Sequence, residues 1–103
     1  MFCQLWTVLG AGCTSGPDAR AHAEAEKAKR LIAVELRVGS SGSEIEKFFN
    51  RHGWPFDYDE SERRFRSDVY RAPERTHTVM VYIYVDKKRE FVRSDVQVDI
   101  TFL

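Results

Sequence analysis

Apolar residues recur along this chain with two periods, and the switch between them divides it. Ala21, Ala25, Ala28, Ile32 and Leu36 fall at steps of four, three, four and four, one face of a helix. Pro17 and Asp18 suit its first turn, where a missing N–H costs nothing and a carboxylate meets the positive helix end. Glu24, Glu26, Lys27, Lys29 and Arg30 make the opposite, solvated side. The first half of the stripe is alanine alone, so its turns are expected to be lightly packed and frayed. Ile32, Val34, Leu36 and Val38 also alternate as a strand would. The helical stripe favours helix to about Leu36, with Gly39 as a left-handed C′ residue.

A second helix follows. Ser41-Gly42-Ser43-Glu44 has the S-x-x-E order of a capping box, and Ile45, Phe48 and Phe49 give it a core face. Asn50-Arg51-His52-Gly53 closes it with cations and a terminal glycine. After Pro55 the period becomes two. Phe56 and Tyr58 mark a short strand, and Asp59-Glu60-Ser61-Glu62 a turn. Phe65, Ser67 and Val69 then alternate with Arg64, Arg66 and Asp68, and Arg71 to Arg75 read as a loop. Thr76 to Val85 is the clearest strand, with Val79, Val81, Ile83 and Val85 on one face and Met80, Tyr82 and Tyr84 on the other. Asp86 to Glu90 form a charged hairpin turn. Val92 to Phe102 make the last strand, with Val96, Val98, Ile100 and Phe102 opposite Gln97, Asp99 and Thr101. Helices first and strands after predict an α+β fold: two N-terminal helices packed on an antiparallel three- to four-stranded meander.

Composition narrows the function. The 103 residues carry 16 Lys and Arg against 16 Asp and Glu, all of them after Cys13. That neutrality argues against nonspecific nucleic-acid binding and against charge-driven adsorption to anionic lipid. No segment approaches the roughly 20 apolar residues of a membrane-spanning helix.

The N-terminal stretch carries an address. Leu5-Trp6-Thr7-Val8-Leu9 leads into Gly10-Ala11-Gly12-Cys13, then Thr14-Ser15-Gly16-Pro17. This order resembles the lipobox of bacterial lipoproteins, in which a signal is cut before a cysteine whose thiol is acylated. The third residue before the cysteine is usually Leu and here is Gly10. No Lys or Arg precedes Cys13, an absence that a start codon placed too far downstream would explain. The resemblance divides the chain into a signal peptide at 1–12, a lipidated Cys13 with tether at 13–17, and one domain at 18–103. It implies palmitate at Cys13, and Thr14 in place of Asp after the cysteine leans toward the outer membrane. Cys3 would leave with the signal; a Cys3–Cys13 disulfide in a retained N-terminus is the alternative.

No constellation for chemistry emerges. His22, His52 and His77 lack ligand spacing. Ser40, Ser41 and Ser43 beside Gly39 and Gly42 suit capping better than anion binding, because no P-loop lysine accompanies them. Asp57, Asp59, Glu60 and Glu62 lack the order of a calcium loop. No nucleophile–base pair is found, so no enzyme, metal or cofactor is expected. The surface to examine is Met80, Tyr82 and Tyr84, joined by Gln97, Asp99 and Thr101 from the neighbouring strand, since Tyr and Met are favoured in protein interfaces. Cross-strand packing that merely stabilises a two-sided sheet is the competing explanation. Arg64, Arg66 and Arg71 are expected to form a basic rim of surface ion pairs.

From Leu36 to Ile45 the chain resembles the small outer-membrane lipoproteins of the SmpA/OmlA (BamE-like) type, with a β-lactamase-inhibitor-like fold. The spacing from Gly39 to Ile45 matches, and Phe49 falls where that family has a Leu. Ser40 replaces the family's Met, and Asn50 stands where a Gly usually follows. The resemblance implies scaffolding of outer-membrane assembly and binding of protein partners rather than catalysis. The expectation is therefore a lipid-anchored periplasmic protein-binding module of assembly, inhibitor or immunity type, with no nucleic-acid partner. The alternatives are a structural envelope lipoprotein without a dedicated ligand, and a soluble cytosolic small domain.

Overall fold

The computed structural model describes residues 16–73 and 75–100. Helix α1 spans Pro17–Glu35 and α2 Gly42–Arg51. Strands β1 (Asp57–Asp59), β2 (Arg64–Arg71), β3 (His77–Val85) and β4 (Phe91–Ile100) follow. They form one antiparallel meander in the order β1-β2-β3-β4, with both helices on one face. The α+β architecture expected from the two periods is the one observed.

Each helix reaches the sheet through different chemistry. In α2 the capping box forms: Glu44 N–H donates to Ser41 Oγ at 3.1 Å, and Ser41 N–H to Glu44 Oε1 at 2.8 Å. The helix ends in a Schellman motif about Gly53 (φ 69°), with Trp54 N–H donating to Phe49 O and Gly53 N–H to Asn50 O. These two ends aim Ile45, Phe48 and Phe49 at the sheet, all fully buried. Phe49 stacks on Phe56 at 5.1 Å and lies 6.1 Å from Phe65. Between the helix ends Glu35 accepts from His52 Nε2 at 2.7 Å and from Arg51.

Ala21, Ala25, Ala28 and Ile32 of α1 and Leu36 just beyond its end are all buried, and the alanines are not loosely packed. Ala21 and Ala25 are covered by Val79, with Val69, Tyr70, Val96 and Val98 around them. An alanine buries little area of its own, but its small size lets the helix settle directly onto the β-branched side chains of the sheet. At this end Asp18 Oδ1 lies 3.4 Å from His22 Nε2 and 3.5 Å from His77 Nε2.

Three boundaries differ from expectation. Helix α1 ends at Glu35 with Leu36 extended, so Gly39 is not its C′ residue. Gly39 (φ 96°) instead turns the interhelix loop back onto the sheet. Its N–H donates to Phe91 O at 2.9 Å, and Phe91 N–H donates to Ser40 O at 2.8 Å. Strand β2 continues to Arg71 with a bulge between Asp68 and Tyr70, so Tyr70 rather than Val69 pairs with Val79. Strand β4 begins at Phe91, with a second register shift before Arg93.

Candidate docking face of the sheet

Strand β3 has two faces of opposite character. Val79, Val81, Ile83 and Val85 are buried under the helices, while Thr78, Met80, Tyr82 and Tyr84 point the other way and are each half-buried. No described element covers this second face. Register sets what surrounds each residue. Tyr84 lies between Arg64 and Arg93, Tyr82 between Arg66 and Asp95, Met80 between Asp68 and Gln97, and Thr78 between Arg71 and Asp99. The predicted site residues Met80, Tyr82, Tyr84, Gln97 and Asp99 therefore do share one surface. Thr101 and Cys13 lie outside the described residues, as do the expected signal peptide at 1–12 and residues 14–15 of the expected tether.

The two tyrosines are not bare. The Arg64 guanidinium sits 4.5 Å from the Tyr82 ring centroid and 5.9 Å from that of Tyr84, and its Nη1 donates to Tyr84 Oη at 3.2 Å. Arg93 stacks on Tyr84 at 3.8 Å. The bond to the Tyr84 hydroxyl raises Arg64 above its already high pKa, so the cation persists at any physiological pH. Arg64 Nε is buried without a hydrogen-bond partner, with Asp59 Oδ2 4.0 Å away. Asp59 is engaged elsewhere: the Ser61 hydroxyl and the Ser61 and Glu62 N–H groups donate to it. The Ser61 hydroxyl above all holds its carboxyl below the usual range.

Away from the tyrosines the face is ionic. Arg66 pairs with Asp57 at 3.5 Å and Arg71 with Asp68 at 3.2 Å. Around Arg66, Asp68, Arg71, Thr78, Met80 and Asp99 lies a shallow concavity of about 450 Å³. The basic rim expected for Arg66 and Arg71 is thus a set of ion pairs, whereas Arg64 lies within the aromatic surface. Arg93 and Asp95 were not singled out from sequence. The alternation that placed Gln97 and Asp99 extends back to them and would have found both.

The histidines lie elsewhere, two at Asp18 and one at Glu35. Among the described residues no group of three His, Cys, Asp or Glu is arranged to hold a metal ion. Nor is any described helix long and apolar enough to cross a membrane. No protein-family model, curated protein or solved structure matches the chain.

Proposed function

We propose that this chain is a lipid-anchored, non-catalytic protein-binding module of the bacterial envelope. In this reading Cys13 carries the anchor at the periplasmic face of the outer membrane, and the open sheet face receives an envelope protein. The observation that carries it is that face: Met80, Tyr82 and Tyr84 in a row, half-buried, flanked by Gln97 and Asp99 and by paired charges. Tyrosine buries much area with few rotors, methionine adapts its shape to a partner, and the surrounding charges select by complementarity. The address rests on the Leu9-Gly10-Ala11-Gly12-Cys13 stretch, and the order helix, helix, meander supports the likeness to lipoproteins of the SmpA/OmlA type.

A photocrosslinker at Gln97 in intact envelopes tests the docking face. The expected product is a discrete adduct that excess wild-type domain displaces and Tyr82→Ala domain does not. Adducts displaced equally by both would reject the face. Palmitate labelling lost in Cys13→Ala tests the anchor separately.

One observation favours a second reading. Arg64 and Arg93 already cover the tyrosine rings. On that reading the face stabilises a structural lipoprotein without a dedicated ligand, and Tyr82→Ala lowers thermal stability more than it weakens any partner.

A further inference from the structure

The meander has two edges, and they are unlike. At one edge β1 is three residues long, whereas at the other β4 runs ten residues from Phe91 to Ile100. Long open edges invite another strand. Backbone direction shows which β4 groups are free. His77 O accepts from Ala72 N–H, and Val85 N–H donates to Arg63 O, so the odd-numbered residues of β3 bond toward β2. The even ones bond toward β4, where their partners are Arg93, Asp95, Gln97 and Asp99. Ser94, Val96, Val98 and Ile100 therefore turn their N–H and C=O groups outward. Among the described residues only Phe91 has its outward groups filled, by Gly39 and Ser40.

The side chains along this edge are complementary to themselves. Arg93 and Asp99 lie on the open face equidistant from Val96, and neither makes an ion pair among the described residues. We propose that two copies of this chain pair through β4, antiparallel about a two-fold axis at Val96, joining their sheets into one. In this register Val96 opposes Val96 of the second copy, Ser94 opposes Val98, Asp95 opposes Gln97, and Arg93 opposes Asp99. The last pair occurs twice by symmetry. Residues that bond outward meet residues that bond outward, as an antiparallel ladder requires. Ile100, 49% exposed, gains cover where the second copy's Val92, 46% exposed, approaches.

Neighbouring registers fail on charge or on sterics. Centring on Asp95 sets that carboxylate against itself, and centring on Gln97 sets Asp95 against Asp99. Centring on Ser94 keeps Arg93 opposite Asp95 but draws in Phe91, whose groups the interhelix loop already holds. The same edge borders a concavity of about 460 Å³ that includes Ile32, Leu36, Val38, Phe91 and Val96. A second strand beside β4 would wall its open side.

Sedimentation velocity of the full chain under reducing conditions tests this. A reversible dimer is expected. Arg93→Asp should weaken it roughly tenfold, because two attractive pairs become repulsive, and Arg93→Asp with Asp99→Arg should restore it. Val96→Pro should abolish the dimer while leaving the monomer folded by circular dichroism, because the N–H it removes points away from β3. A wild type monomeric at all concentrations overturns the proposal. So does a dimer indifferent to both the charge reversal and the proline. A monomer that dimerises only after deletion of residues 1–15 would place that segment on the edge instead, and would equally overturn it.

Discussion

The two faces of β3 are built from neighbouring residues yet held by different forces. On the covered face, Val79, Val81, Ile83 and Val85 meet the helices with no polar atom among their side chains. On the open face, Tyr82 and Tyr84 are covered by two arginines, Arg93 exposed to water and Arg64 partly buried against the rings. The first arrangement gains by removing area from water and loses heavily when a side chain is cut back. The second gains from stacking and charge, which water and salt partly screen. A face of the second kind can be uncovered and re-covered by another protein at little cost, whereas one of the first kind cannot.

That contrast can be broken most directly at its strong end. Phe49→Ala should cost about 3–5 kcal/mol and Ile45→Ala about 2–5 kcal/mol in urea denaturation, since both side chains are fully buried. A near-neutral result at either would mean that the core under α2 is looser than its packing. A smaller effect is expected on the open face. Tyr84→Phe removes the acceptor of Arg64 and keeps the ring under Arg93, for a loss of about 0.5–1.5 kcal/mol. A loss as large as that at Ile45 would erase the distinction between the faces.

The finest test is in pH. The Asp59 carboxyl is held low mainly by the Ser61 hydroxyl, so its contribution is present at neutral pH and is lost as pH falls through the lowered value. Asp59→Asn should therefore be less stable than wild type at neutral pH, with the gap closing in acid. A gap that persists at low pH would assign the effect to hydrogen-bond geometry rather than charge.

The faces were legible in the sequence because a period of two assigns every residue of β3 to one side or the other. The stripe of α1 and the capping box of α2 were legible for the same reason, being local. What escaped was set between distant segments. The bulge at Val69 is hidden because apolar Val69 and aromatic Tyr70 both suit a covered face. Gly39 looks like a helix cap until Phe91 supplies a partner from the far end of the chain. The alanines of α1 looked too small to pack, and only the contour of the sheet beneath them shows that small size is what the contact needs. On the open face of the sheet, Met80, Tyr82 and Tyr84 follow from alternation alone. Their cover by Arg64 and Arg93 depends on register across three strands, which no single segment encodes.

The pairing of Gly39 and Ser40 with Phe91 bears on the order of folding. It joins segments far apart in the chain, and everything from α2 through the β3–β4 turn lies inside the loop it closes. Closing so large a loop is unfavourable until the strands between are already ordered. The clasp should therefore form after the folding barrier. Ser40→Ala keeps the carbonyl that Phe91 N–H reaches but removes the Oγ that accepts from Arg37 N–H and braces the loop, so it should speed unfolding and leave the refolding rate nearly unchanged in stopped-flow measurements. The interhelix loop would act as the latch on a finished sheet, and its loosening would set how long the native state lasts.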